Sequence, residues 1–337
     1  MNTKFLSLLF LLLATAFFAC DDDTDDAPNP PDFTLSFNLE TNGDQMGVFS
    51  DQKMAILNGE VWSVGGYNSY HQSVHSDVWK SSNGRSWQSV TSGQFPDRKG
   101  HSLTVIDNKL WVIGGYRQTA PNTFLSLSDV WFSADGEAWT LATDDALQTG
   151  SIGYHSTLVF NNQLYIIKDG DNEGMAGCSV WTSNNGINWT RLTGNAFSSR
   201  EFFTATVFNN EMYVIGGLHL SNYYNEIWKS ADGINWTQVS GIDSAFPARA
   251  NGKALVYDDK LWVLGGTNGV TSVNQGLWHI SNGQDWFSYT PLPSTDGITN
   301  FDALNYNNAI WVFGGLRQLE GSVLRERVGT INTVKKN

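Results

Sequence analysis

One pattern constrains this chain more than any other: an aromatic residue, two apolar or small residues, then two glycines. The segments WSVGG, WVIGG, YVIGG, WVLGG and WVFGG place their first glycine at positions 65, 114, 216, 265 and 314. Three of the four spacings are 49 residues, and the remaining gap of 102 holds a degenerate copy, YIIKDG, with Lys168 where the first glycine belongs. The aromatic of each copy is Trp62, Trp111, Tyr165, Tyr213, Trp262 or Trp311. A period of this length means one supersecondary unit repeated six times, each burying its apolar faces against its neighbours.

A second marker keeps the same rhythm. Trp79 and Trp87, Trp131 and Trp139, Trp181 and Trp189, Trp228 and Trp236, and Trp278 and Trp286 are each eight residues apart. Between them lie SSNG, SADG, SNNG, SADG and ISNG, and Asn-Gly or Asp-Gly between apolar alternations signals a β-hairpin. Each unit therefore reads as four strands, as in HSLTVID, KLWVIGG, DVWFS and AWTLA. The eight-residue spacing predicts a three-residue loop with Gly136 as its left-handed bulge residue, pairing Trp131 directly with Trp139. These pairs and the four tryptophans before Gly-Gly account for all 14. An aromatic platform for a ligand must then come from Tyr or Phe.

Four-stranded units at this period predict an all-β propeller. The Gly-Gly, the aromatic before it and the later Trp resemble the kelch repeat of galactose-oxidase-like propellers, over residues 33–337. Six copies imply six blades. The last is incomplete: a third strand is expected around residues 324–330, and no NG turn or fourth-strand Trp follows. Phe37, in FTLSFNLE, falls where that outer strand is missing, so the N-terminal strand is expected to close the ring, which removes open sheet edges.

SADGEAW also resembles the Asp-box of sialidase propellers. That motif has one residue between its Asp and Gly, whereas Asp135 and Gly136 are adjacent and Asn83, Asn185 and Asn282 replace the Asp elsewhere. A catalytic carboxylate does not tolerate Asn, but a turn residue does. The motif reads as structure.

The net charge of −13 and the pI near 4.7 disfavour nucleic acid and anionic lipid surfaces as partners. The N-terminus reads as a targeting segment: Lys4, an apolar run over 5–18, then Ala19-Cys20. It resembles a lipoprotein signal (residues 1–19) with Cys20 as the lipidated residue, although Phe17 stands where Leu is usual. Ala14-Thr15-Ala16 offers an ordinary signal-peptidase site instead. The acidic, Pro-containing segment 20–32 suits a tether and is similar to the surface-export signal of Bacteroidetes lipoproteins. The expected location is the outer membrane, lipid-anchored and facing outward. With Cys20 acylated, Cys178 has no disulfide partner.

In kelch propellers, the loops joining second to third strands and those leading into the first strand share one face, around the channel mouth. Candidate ligand-binding residues there are Tyr67, Tyr116, Arg117 and His219 from the first class. The second class offers Arg98, His101, Tyr154, His155, Arg200, Glu201, Arg249 and Asn251. Arg98, Arg200 and Arg249 recur in phase, in FPDRKGH, FSSRE and FPARANG. They suit either a carboxylate-binding crown or inter-blade hydrogen bonds. No metal motif is present, and the copper-ligand set of galactose oxidase has no match, so the resemblance implies the scaffold without a cofactor. The expectation is a monomeric propeller binding a glycan or a protein at the loop face. The alternatives are a metal-independent sugar isomerase, such as a sialic-acid mutarotase or epimerase, whose first residues to test are the three arginines, Glu201 and His155, and an envelope scaffold without a small ligand.

Overall fold

The computed structural model describes residues 35–336, apart from 42–45, 47–48, 69–70, 149–150, 171–176, 241–245, 270–275, 281–285, 290–297, 319–324 and 328–330. Residues 1–34, with the signal segment, Cys20 and the tether, lie outside the described residues, as does the Asn282-Gly283 turn.

Each repeat folds into one antiparallel sheet, and in the second to fifth repeats the strands lie in chain order. In the second repeat these are Ser102–Ile106, Lys109–Ala120, Thr123–Ser133 and Thr140–Thr143. The turn joining the first two is Asp107-Asn108, with φ of 50° and 53°. Two successive positive φ values suit the right-handed twist of a hairpin, and Asn and Asp tolerate them best. Asn161-Asn162, Asn209-Asn210, Asp258-Asp259 and Asn307-Asn308 repeat the device.

The fold is an all-β propeller with four-stranded blades, but the expectation of six such blades is corrected. Among the described residues, five of the sheets are four-stranded. The sheet at 53–91 has five strands, because Phe49–Ser50 adds to the far end of the long strand Glu60–Asn68, beyond Lys53–Leu57. In the last sheet Leu35–Thr41 supplies the outer strand, with Phe37 opposite Val334. Its third strand is Ile331–Lys336, not residues 324–330 as expected; Arg325–Arg327 pairs with Leu316–Gln318 in a separate small sheet.

The core lies between neighbouring sheets. One apolar cluster joins Met54, Val61 and Trp87 of the first sheet to Tyr306, Trp311 and Phe313 of the last, closing the ring. The Gly-Gly pairs make close approach possible. Gly66 N donates to Arg98 O at 3.0 Å, and Gly115, Gly217 and Gly266 do the same to Ile152, Arg249 and Ile298 of the next repeat at 2.7–2.8 Å. At Gly65, with φ of 60°, a Cβ would lie 2.9 Å from His101 Cε1 and 3.0 Å from Arg98 O. A side chain there would push adjacent sheets apart.

The SADGEAW loop is a structural device, but its register differs from the expectation. Trp131 pairs with Leu141, and Phe132 with Thr140, so Trp139 lies in the loop before the fourth strand. The loop is longer than three residues because side chains close it. Ser133 Oγ accepts from the amides of Asp135 (3.3 Å) and Gly136 (2.8 Å), and Asp135 Oδ1 accepts from Glu137 (2.9 Å) and Ala138 (3.0 Å). Trp139 Nε1 then donates to Gly136 O at 3.0 Å. Asn83 and Asn185 accept the same bonds, so the charge is dispensable. A Cβ on Gly136 would run into the Trp62 ring of the preceding sheet, and Gly84 faces Trp311 and Gly186 faces Trp111 in the same way. Trp131 and Trp139 do share a face. Phe95, from the segment before the sheet, inserts between them at 6.3 and 5.0 Å, and Phe197 and Phe246 repeat this with Trp228/Trp236 and Trp278/Trp286.

Candidate functional site

The first strands surround the channel, and the residue two positions before each of them forms its rim. These residues are Asp51, Gly100, Tyr154, Phe202, Asn251 and Asn300, with φ between 45° and 62°. The left-handed conformation lets each amide reach its neighbour: Tyr154 N donates to Gly100 O at 3.0 Å, Asn251 N to Phe202 O at 2.8 Å, and Asp51 N to Asn300 O at 3.1 Å. Asn300 Nδ2 adds a bond to Asp51 Oδ1 at 3.0 Å. Gly, Asn and Asp accept this backbone readily, but Tyr and Phe do not. Tyr154 and Phe202 are therefore held in a conformation that costs about 1–3 kcal/mol each.

Those two residues build an aromatic ledge. Tyr116 contacts Tyr154 at 5.0 Å between ring centroids, and Tyr154 contacts Phe202 at 4.4 Å. Gly100 and Gly153 leave the space: a Cβ on Gly100 would meet Tyr154 Cε1 at 2.9 Å, and one on Gly153 would fall on the Tyr116 ring. Tyr154 and Phe202 line one side of the mouth, with Tyr116 packed behind Tyr154, while Asp51, Asn251 and Asn300 line the other. Glu201 lies beside the ledge. Burial and the Asp169 charge push its carboxyl above the usual range, whereas His219 opposes them. Burial, followed by the Glu201 charge, raises the Tyr116 phenol.

One step deeper, His101, His155, Phe203, Gly252 and Phe301 line the channel, followed by Lys53, Ser102, Ser156, Thr204, Lys253 and Asp302. Lys253 Nζ sits 2.6 Å from Asp302 Oδ1, and the other Asp302 oxygen accepts from Met54 N at 2.8 Å. His155 Nε2 bonds Ser102 Oγ at 2.9 Å, and Ser102 Oγ bonds Thr157 Oγ1 at 2.7 Å.

The three in-phase arginines do not form a crown at the mouth. All are buried beneath it. Arg98 takes the Asp129 carboxylate in two bonds of 2.8 Å and donates to Gly114 O at 2.9 Å. Arg200 pairs with Glu226 at 2.5 Å and donates to Gly216 O at 3.1 Å. Arg249 donates to Pro247 O and Gly265 O, but among the described residues its Nη2 has no partner, and burial lowers its pKa to about 9. The carboxylates stand two residues before Trp131 and Trp228; Gly276 stands two before Trp278.

Of the other candidates, Tyr67 sits under the Lys99 ammonium at 5.1 Å, Arg117 is exposed on the strand opposite Leu125, and His219 pairs with Asn222. Tyr154, His101, His155 and Asn251 line the mouth and channel, with Tyr116 and Glu201 beside Tyr154; Phe202, Asp51 and Lys53 join them without having been singled out by sequence. Cys178 is fully buried, its thiol pushed up to about 12 by burial and the Asp169 charge. No cluster of three or more His, Cys, Asp or Glu able to hold a metal occurs among the described residues.

Four-stranded sheets welded by Gly-Gly around a lined channel define a kelch-type β-propeller. Comparison with known proteins agrees. A family model described as the DUF6242 beta propeller domain matches residues 133–244. Kelch domain-containing protein 3 of Rattus norvegicus and of Mus musculus are each 27% identical over 207 residues, 55% of this chain and 52% of theirs. The Bos taurus protein is 27% identical over 191 residues, 51% and 48%. The chain spans about half the length of these curated relatives. Among solved structures, "Structure of YjhT" aligns over 86% of this chain and 94% of that one, with a TM-score of 0.65 and 14% identity. At that identity the likeness speaks for the fold alone.

Proposed function

We propose that this chain is a binding propeller that recognises a glycan through the mouth of its channel. The observation carrying this reading is the Tyr116–Tyr154–Phe202 ledge facing Asp51, Asn251 and Asn300. Aromatic faces take up the apolar C–H surface of a sugar ring, while amides and a carboxylate bond its hydroxyls; binding sites commonly combine apolar walls with a few placed polar groups. Two of the aromatics occupy strained backbone positions that Asn fills elsewhere in the ring, and such strain gathers at functional sites. A glycan array on the wild type and on Tyr154→Asn tests the reading. Binding should be lost in the variant; a ligand that binds both equally, or a protein partner insensitive to the ledge, argues against it. The Cys20 signal supports display on the outer membrane by a lipid anchor. Mass spectrometry of the mature N-terminus, with Cys20→Ser as control, tests that part.

A second reading is metal-free sugar isomerisation. It is favoured by Glu201, a carboxyl that burial and the Asp169 charge raise above its usual range beside the Tyr116 phenol, the direction that general acid–base work calls for. Nuclear magnetic resonance of sialic-acid anomerisation, with and without Glu201→Gln, tests it: turnover no faster than the uncatalysed rate removes this reading.

A further inference from the structure

The channel below the rim holds a feature that the rim reading does not use. His101 is 1% exposed, and among the described residues neither of its ring nitrogens makes a hydrogen bond of normal geometry, the Val64 backbone being its nearest partner; His155 Nδ1 is likewise buried, with only a poorly aligned contact to the Ile152 backbone. Unpaired polar groups this deep are costly and uncommon. Both rings line a cavity of about 130 Å³, large enough for several water molecules. Lys53 lines it too, and among the described residues no carboxylate pairs with its ammonium, whereas the neighbouring Lys253 is matched by Asp302. The hydroxyls of Ser102, Thr157 and Thr204 complete the wall. The cavity therefore presents one positive charge with no carboxylate paired to it among the described residues, beside imidazole and hydroxyl groups, which is the complement of an oxyanion.

We propose that this cavity is an oxyanion seat in which Lys53, His101 and His155 hold a small carboxylate or tetrahedral oxyanion. The anion is either free or the acidic group of a ligand that enters past the rim. Both imidazoles meet it uncharged. Burial, and then Arg98, Lys53 and His155, push His101 down; burial, Lys53 and Lys168 do the same to His155. The Lys253–Asp302 pair and the Asp51 carboxylate at the rim are the other charges that line the channel with them. An incoming negative charge offsets these positive neighbours and favours protonation of the rings, so binding takes up protons.

Isothermal titration of the full chain with sodium sulfate and sodium acetate, at constant ionic strength and in buffers of different ionisation enthalpy, tests the seat. Saturable binding with proton uptake is expected. Lys53→Met should weaken it by about tenfold or more, while Lys53→Arg and Tyr154→Asn leave it intact. Circular dichroism confirms folding, and Lys53 is only partly buried. Glucuronate and glucose separate the two sources. If glucuronate binds better than acetate and Tyr154→Asn erases the gain, the anion belongs to a rim ligand; if it binds no better, the seat serves a free anion. Absence of saturable sulfate and acetate binding to the wild type, or undiminished binding to Lys53→Met, overturns the proposal. Neither result touches the rim reading, which is decided by glycan binding to the folded Tyr154→Asn variant.

Discussion

Arg98 and Asp129 meet out of water, Nη1 to Oδ1 and Nη2 to Oδ2, each at 2.8 Å. Trp131 Nε1 donates to the same carboxylate at 2.7 Å. The arrangement repeats with Arg200, Glu226 and Trp228. It fails at Arg249, where Gly276 offers no carboxylate. Each arginine also stacks on the phenylalanine before it, with Arg249 over Phe246 at 4.6 Å.

Arg98→Met and Arg249→Met should therefore differ in sign or size. Breaking a buried pair strands its partner and costs about 3–5 kcal/mol. Replacing an unpaired buried charge with a long apolar side chain should cost less than about 1 kcal/mol, or stabilise. Urea unfolding of both variants measures the contrast.

Gly136 and Gly93 both have positive φ, 72° and 71°, but only Gly136 faces a neighbouring ring. Gly93→Ala should cost about 1 kcal/mol for backbone conformation alone. Gly136→Ala should cost about 1–3 kcal/mol more, because it drives a methyl into Trp62. Equal thermal shifts would mean that the loop does not dock on the preceding sheet.

Asp135 separates turn from chemistry. Asp135→Asn keeps both backbone acceptor bonds and should leave stability at neutral pH within about 0.5 kcal/mol of wild type. Asp135→Ala loses them and should unfold earlier. The backbone N–H groups of Ala138 and Glu137 hold its carboxyl below the usual range, so wild type loses this stabilisation as pH falls below about 4 and Asp135→Asn does not.

His155 titrates in the same direction from a higher starting point. Burial and then Lys53 and Lys168 lower its pKa from 6.5 to about 3. The unfolded chain binds the proton first, so this stability is full above about pH 6.5 and drains away as pH falls toward 3. His155→Gln should flatten stability against pH across that window, measured by urea midpoints at successive pH values.

The glycine and tryptophan spacings made the repeat legible, because each marks a place where neighbouring sheets touch. The Trp131–Trp139 register was not legible, since spacing alone does not reveal that Ser133 and Asp135 close a longer loop. For a similar reason spacing left two roles open to the in-phase arginines, a crown at the mouth or bonds between sheets, and the structure buries them in bonds within their own sheets. The partners were nonetheless written in the chain: Asp129-Val130-Trp131 and Glu226-Ile227-Trp228 accompany Arg98 and Arg200, while Ser179-Val180-Trp181 accompanies Ile152, where the arginine is absent. Phe202 and Asp51 escaped notice because their residue types differ around the rim; what they share is an offset of two from a strand and a positive φ.

The central claim is that the rim carries the function, with Tyr154 spending backbone strain on a ligand contact. The most direct measurement pairs the stability and glycan affinity of Tyr154→Asn. Asn suits a φ of 45°, and Asn251 and Asn300 already hold the equivalent positions. The account predicts stability equal to or above wild type, with affinity reduced by about tenfold or more. A variant that keeps its affinity, or that loses it only by unfolding, would contradict it.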